Sequence, residues 1–586
     1  MESPRIPDRP PRDRWSERTA IAILVLAGWL TRLPALRAVA LNPDESQYEA
    51  TAAYLLASGA SAFSMPHTSP ATYTFYKLMA RLFGPYPMFE VRIAVMLLVI
   101  ATALWVYRAV CRGDGPWSGL AAGLIVVVWS VYFEGLTANR EWFCNALLVL
   151  GALLFLGHFG RDDRRARLAL FLSGVSCGAA LGFKLHAGLL VLPLAIVCLW
   201  RSSYREQRPA ALRALAWYIA GGLSITLLGL VPFAWEGTLG SYLRSIWTDL
   251  FGYAAAEAPR GTAGGTVTAP FYRGLPGRIL LLAAYGFSAL VMVGAWRRLV
   301  RRRAPAGPFP GEQVVDQWAV AYLAAALVSV SIGARFFGHY YLFLVPPVAV
   351  LVGRAIGWLS RPHGREAATM GAALAFLVLL VVDRAASWGG TADRSTWVYL
   401  ALSVGLIAFG LSRPRRRLAP SVAAILAVEI ALVGWGASGM LYPASAPGPG
   451  KRFARLSAVL GERSAAGDRL YVWGWAPEIY SLTRLTPSSQ FVVSMYLVDD
   501  TRPEPTDSAI DRRYERMLME ELRSTPPRFI VDASRRSWTM VESGDPWLYD
   551  LDRYPGFELS GYLDRHYRAV GRFDGCVLYE RRPQSG

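Results

Sequence analysis

Asp44 and Glu45, adjacent carboxylates in Leu41-Asn42-Pro43-Asp44-Glu45-Ser46-Gln47-Tyr48, are the residues of this chain best suited to move a proton. They follow its first hydrophobic run. Proline disfavours a helical residue before it, so the spacing predicts a span giving way to a loop at this point. A carboxylate held there can take the proton of an attacking hydroxyl, general-base work worth about 10²–10⁴-fold in rate. Adjacent residues point in different directions, which gives Asp44 the base and Glu45 a ligand role. Loop carboxylates are often merely solvated, but Pro43 and the helical pattern that follows restrain this pair.

Cations that could face such a base stand in three places. Lys184, in Gly182-Phe183-Lys184, and Arg335, in Arg335-Phe336-Phe337-Gly338-His339-Tyr340-Tyr341, lie at span ends on the acidic side, against the trend of the other basic residues. Lys77 lies in the apolar-periodic stretch 72–83. Anion binding, with Arg335 favoured for its bidentate fork, competes with snorkelling or a local ion pair. His339 and His67 could hydrogen-bond the same ligand or be satisfied structural residues; His186 has a poorer case. Glu141, in Asn139-Arg140-Glu141-Trp142, could assist Asp44, hold an acceptor or help bind a metal; equally, it could pair with Arg140 or cap the following helix. Tyr73 and Tyr340, with Tyr48, Tyr76, Trp142 and Tyr341, suit an interfacial aromatic belt, and some could stack on a sugar or flank a lipid chain.

The elements that must position these residues are membrane spans. Of 586 residues, 53% are hydrophobic, and many fall in runs of spanning length. Runs of roughly 20 apolar residues number about thirteen, near 19–40, 88–107, 117–134, 142–159, 167–183, 187–200, 214–234, 277–296, 317–333, 341–358, 367–383, 396–411 and 419–441. The net charge of +18 comes largely from arginines in alternate short loops. That is the positive-inside pattern, not a nucleic-acid surface, so nucleic acid is excluded as a partner. It puts the N-terminus in the cytoplasm and both Asp44 and the C-terminal stretch outside. The five cysteines show no paired spacing, so neither a disulfide framework nor a zinc site is implied.

Within the outward loop 41–87, the stretches 47–57 and 72–83 have helical spacing and are expected to lie along the membrane surface. A second outward loop, 236–276, carries the glycine-rich 261–266. A Pro/Gly linker at 442–450 then leads to strands expected at 469–473, 528–532 and 576–580, with a helix starting at 477. The expected organisation is therefore a cytoplasmic tail 1–18, a transmembrane catalytic domain 19–450, and an outer-face, periplasmic α/β domain 451–586.

Pro43-Asp44-Glu45 after the first span, with His67-Thr68-Ser69-Pro70-Ala71-Thr72-Tyr73 in the same loop, resembles the GT-C glycosyltransferases, and within them family 39, the protein O-mannosyltransferases and lipid A aminoarabinose transferases. Ser69 stands where that family usually has the first proline of a His-Pro-Pro-like segment. The resemblance continues at Lys184 and at 335–341 leading into Pro346-Pro347, and covers most of residues 19–450. It implies a polytopic α-helical membrane protein of the GT-C type in a bacterial-type inner membrane. It also implies a sugar donor carried on polyprenyl phosphate, transferred with inversion on the outer face to a lipid, glycan or protein acceptor. Asp44 would be the base, Lys184 and Arg335 the phosphate ligands. No cofactor is required; a divalent metal at Asp44, Glu45 and Glu141 is compatible, though no ligand spacing demands one. The rival readings are a flippase for a lipid-linked sugar, which would favour Gly- or Pro-broken spans and repeated halves, and a non-catalytic membrane scaffold.

Overall fold

The computed structural model of the chain describes residues 14–36, 38, 42–64, 69–132, 136–247, 311–331, 338–359, 452–494, 497–498, 511–536, 550–554 and 556–583. The first part is helical. In chain order the helices are α1 (Arg14–Leu36), α2 (Pro43–Ser58), α3 (Pro70–Phe83), α4 (Met88–Asp114), α5 (Pro116–Tyr132), α6 (Arg140–His158), α7 (Arg164–Phe183), α8 (Gly188–Ser202), α9 (Arg208–Trp235), α10 (Leu239–Trp247), α11 (Gly311–Ser331) and α12 (Val345–Leu359). Among the described residues four of them, α4, α6, α7 and α9, are long and apolar enough to cross a membrane, and three further apolar helices are shorter. Nine of the apolar runs in the sequence fall on these helices. The runs 277–296, 367–383, 396–411 and 419–441 lie outside the described residues, as do the glycine-rich stretch 261–266 and the linker 442–450.

Two seams fix the helices that matter for the site. Between α6 and α7 the hydroxyls of Ser173 and Ser176 donate to the carbonyls of Gly151 and Leu147, each at 2.7 Å. Between α7 and α9 glycines bring the backbones together: a Cβ on Gly174 would sit 1.9 Å from the Tyr218 carbonyl oxygen, and one on Gly221 1.9 Å from that of Phe171. Gly174 and Gly178 are four residues apart, the small-residue spacing that lets membrane helices approach closely. The opposite flank of α9 leaves Leu223, Leu227 and Leu228 more than half exposed, as a lipid-facing flank would be.

Helix α2 differs from the surface helix its sequence suggests. Tyr48, Ala52 and Leu55 pack with the helical part, whereas Ala50 packs into the core of the C-terminal part. With residues on both flanks covered, α2 is a buried bridge. Its spacing looks helical and apolar either way; periodicity alone does not say what covers each face. Helix α3 keeps Leu78, Leu82 and Phe83 exposed, in keeping with a membrane-surface position.

The C-terminal part is a five-stranded sheet of order β2-β1-β3-β5-β4, with β1 (Arg469–Trp473), β2 (Thr486–Pro487), β3 (Phe529–Asp532), β4 (Tyr567–Phe573) and β5 (Cys576–Arg581). β1 runs parallel to β2 and β3, and β5 runs antiparallel to β3 and β4. Helices cover both faces. Tyr471 and Trp473 pack on Leu518 and Leu522 of the helix Arg512–Ser524, while Leu470 and Val472 pack on Leu456 and Leu460 of the helix Ala454–Arg463. Three strands and the helix near 477 coincide with the sequence expectation; β2 and β4 are additions. β4 and β5 are joined by Asp574-Gly575, both at positive φ (52° and 85°), the Asp-Gly hairpin signal.

Candidate functional site

Helix α2 sets the site. Asn42, in extended conformation, caps it by accepting from the Asp44 N–H at 2.7 Å, and Pro43 occupies its first turn. The proline that ends one helix is thus pre-organised to start the next. Asp44 and Glu45 therefore lie in the first turn of a helix and not in a loop, where the helix dipole favours negative charge.

The two carboxylates diverge. Glu45 is fully buried and ion-paired with Arg92 of α4. Its Oε2 accepts from Arg92 Nε at 3.3 Å and from the Ala138 N–H at 3.0 Å. Arg92 also donates to the Ala35 carbonyl at 2.9 Å. Glu45 thus ties α2 to α4, to the end of α1 and to the segment before α6. Both oxygens of Glu45 already carry partners, which any ligand of Glu45 would have to displace. Asp44, by contrast, is partly exposed, and among the described residues its carboxylate has no hydrogen-bond or ion-pair partner.

Glu141 is buried in the first turn of α6 and ion-paired with Lys184, which caps the C-terminal end of α7. His339 Nε2 lies 3.8 Å from the same Glu141 oxygen. The Lys184 ammonium stands 3.9 Å from the Tyr340 ring centroid, and the His339 and Tyr340 rings meet edge to face at 4.8 Å. The short helical segment Gly338–Leu344 that carries both rings is anchored to α6 by Asn145, whose amide donates to the Leu342 carbonyl at 2.9 Å. Four residues singled out from the sequence, on three distant segments, are thereby gathered into one cluster.

Arg140 connects the cluster to Asp44. Its guanidinium donates to Ser69 Oγ at 2.8 Å and lies 5.3 Å from the Tyr48 ring centroid. Both Glu141 and Asp44 act on it electrostatically, and Asp44 acts on Lys184 as well. Sequence reasoning treated Arg140 only as a partner for Glu141. The signal that would have found it is the one used for Lys184: a cation on the acidic side of a span end. Beside it Asn139 is buried, and among the described residues neither side-chain amide atom has a partner, an arrangement that costs free energy.

Tyr73 is 2% exposed, packs edge to face on Tyr48 at 5.8 Å and acts electrostatically on Arg140, so it borders the cluster from the buried side. Lys77 donates to the Ala60 carbonyl just past the far end of α2, about 20 Å from Asp44 by helical rise. It closes the α2–α3 connection and does not join the cluster. His67 and Arg335 lie outside the described residues. Among the described residues no group of three or more His, Cys, Asp or Glu stands close enough to hold a metal ion. Glu45 and Glu141 face different cations, so the trio Asp44, Glu45 and Glu141 is not gathered as ligands.

Known proteins share this architecture. Residues 67–234 match the family model described as dolichyl-phosphate-mannose-protein mannosyltransferase. ArnT from Cupriavidus metallidurans, solved bound to undecaprenyl phosphate, superposes with a TM-score of 0.57 at 16% identity, over 97% of this chain and 99% of that one. The oligosaccharyltransferase of Archaeoglobus fulgidus in its apo form gives 0.53 at 12% identity, over 92% and 72%. No curated protein matches the chain by sequence. At such identities the structural likeness shows the fold alone, which this chain shares with those two membrane proteins.

Proposed function

We propose that this chain, with its GT-C fold and its match to the mannosyltransferase family model, is an inverting glycosyltransferase that uses a polyprenyl-phosphate-linked sugar. The observation that carries the reading is the contrast in the first turn of α2: Glu45 is buried and spent on Arg92, whereas Asp44 is free and faces a cluster of cations. Undecaprenyl phosphate bound to a protein of the same fold supports a lipid phosphate as the leaving group.

In the proposed step Asp44 takes the proton of an acceptor hydroxyl while that oxygen attacks the anomeric carbon. The bond from the anomeric carbon to the phosphate oxygen breaks, and its electron pair leaves with the phosphate. Negative charge grows on the leaving group, so fixed cations are worth most there. Lys184 and Arg140 supply them among the described residues, with Arg335 a further candidate from the sequence. Glu141 and His339 hold the Lys184 ammonium in place. The charge pattern of the loops supports an outer-face site with the N-terminus cytoplasmic, and the family resemblance supports a bacterial-type inner membrane. Lipid, glycan and protein acceptors all present a suitable hydroxyl.

The test is to incubate purified protein with radiolabelled polyprenyl-phosphate sugars and a panel of acceptors. Wild type is expected to transfer label, and Asp44→Asn to lose at least about 100-fold while still binding donor. Undiminished transfer by Asp44→Asn would remove Asp44 from catalysis. Passage of intact labelled donor across a vesicle, with no bond cleaved, would replace the transferase with a flippase.

A further inference from the structure

Helix α2 carries Asp44 at one end, and its middle lies against the C-terminal sheet. The hydroxyl of Ser481, on the helix Glu478–Thr483, donates to Glu49 Oε2 at 2.6 Å. Glu49 is 1% exposed, and the Met88 N–H at the start of α4 also bears on its carboxylate. Further along α2, the Tyr54 hydroxyl donates to Glu521 at 2.7 Å, and Glu521 also accepts from Ser489 and Gln490. Before α4, the Tyr86 hydroxyl donates to the Leu485 carbonyl. None of the residues assigned to the reaction comes from the C-terminal part, yet two of these three hydrogen bonds from it reach the helix that bears the base.

We propose that Glu49 and Ser481 are positioning residues, through which the C-terminal domain fixes the register of the Asp44 helix. The inference rests on the reading of Asp44 as the base. Five residues of one helix separate Asp44 from Glu49, about 7.5 Å of rise, too short a length of helix to absorb a displacement. A misplacement of about 1 Å at a reacting group can cost about 10²-fold in rate. The groups bearing on Glu49 are Glu45 on its own helix, Arg92 and the Met88 N–H on α4, Tyr76 on α3, Tyr86 in the connection before α4, and Ser481. Burial pushes its carboxyl up to about 7, so it meets Ser481 largely as a neutral acid below that pH. A contact between neutral groups suits a fixed joint, because it needs no counter-ion.

The experiment uses the full chain in membrane vesicles, with hydrogen–deuterium exchange of the α2 amides as one readout. Turnover of radiolabelled undecaprenyl-phosphate mannose is the other. Glu49→Ala and Ser481→Ala are expected to speed α2 exchange about tenfold or more while β1 and β3 keep their protection. They should lower kcat about tenfold with KM little changed, and Glu49→Gln should restore both. Unchanged α2 exchange overturns the proposal, whatever turnover does. A Glu49→Gln variant as impaired as Glu49→Ala overturns it too. If α2 exchange responds as expected but wild type turns over no donor, the positioning link stands and the assigned reaction falls.

Discussion

Two buried carboxylate–cation pairs flank the first turn of α2, and they are built differently. Around Glu45 and Arg92 the coordination is closed: Arg92 forks onto the carboxylate and also reaches the carbonyl of Ala35, while the Ala138 N–H takes part of the carboxylate. Around Glu141 and Lys184 the partners are side chains: His339 beside the carboxylate, Tyr340 under the ammonium, Arg140 in the next position. A pair tied to main chain from several elements holds a fold together. A pair surrounded by polar and aromatic side chains has groups to offer a ligand. On the proposed function the difference separates a charge that holds the fold from one that serves a ligand, a distinction that burial alone does not make, since both pairs are buried.

The most severe way to break this contrast is Arg92→Leu. Removing one partner of a buried pair leaves an uncompensated charge and costs about 3–5 kcal/mol. The expected outcome in thermal unfolding is a large loss of stability, and the double variant Arg92→Leu with Glu45→Leu should be less unstable than Arg92→Leu alone. If Arg92→Leu melts like wild type, the structural role assigned to Glu45 is wrong.

Glu49 sharpens the contrast as the buried carboxyl paired with neither of those cations. Burial raises its carboxyl from 4.5 to about 7 in the folded state, so the folded chain retains a proton that the unfolded chain releases from about pH 4.5 upward. The stability linked to that proton is fully present below about pH 4.5 and lost as pH rises through about 7, in total on the order of 3 kcal/mol. Denaturation midpoints measured from pH 5 to 8 should fall with pH for wild type and fall less for Glu49→Gln. Parallel curves for the two proteins would count against the neutral acid.

Smaller effects are expected on the other pair. Lys184→Met leaves Glu141 with Arg140 and His339 nearby, so stability should drop less than in Arg92→Leu. Binding of undecaprenyl phosphate should weaken about tenfold, about 1.4 kcal/mol. Smallest of all is Arg140→Lys, which keeps the charge but loses the planar fork. Donor affinity is expected to fall severalfold at unchanged melting temperature. Equal stability losses for Arg92→Leu and Lys184→Met would erase the distinction between the pairs.

Much of this was legible beforehand because membranes impose a strong pattern. Apolar runs gave α4, α6, α7 and α9 close to their observed ends, and placing Lys184 and Glu141 on the acidic side brought out residues that do meet in space. What the sequence did not disclose depends on tertiary partners. Arg92 is not singled out by the sequence, because nothing local says that its partner lies 47 residues away. The stretch 47–57 looked amphipathic, because a helix covered on two flanks resembles one lying on a surface. Lys77 had the right charge but the wrong end of the helix, and only the α2–α3 connection decides that. The local signal for β4 is Asp574-Gly575, whose positive φ angles make the hairpin turn into β5.

The glycines between α7 and α9 carry one more consequence. Because Gly174 and Gly221 let two helices touch at their main chains, the location of Lys184 at the end of α7 is governed by peptide atoms and not by rotamers. A single methyl at either glycine would wedge the helices apart and drag the lysine out of alignment from a distance. The lipid-facing flank of α9 can vary in shape without moving that lysine.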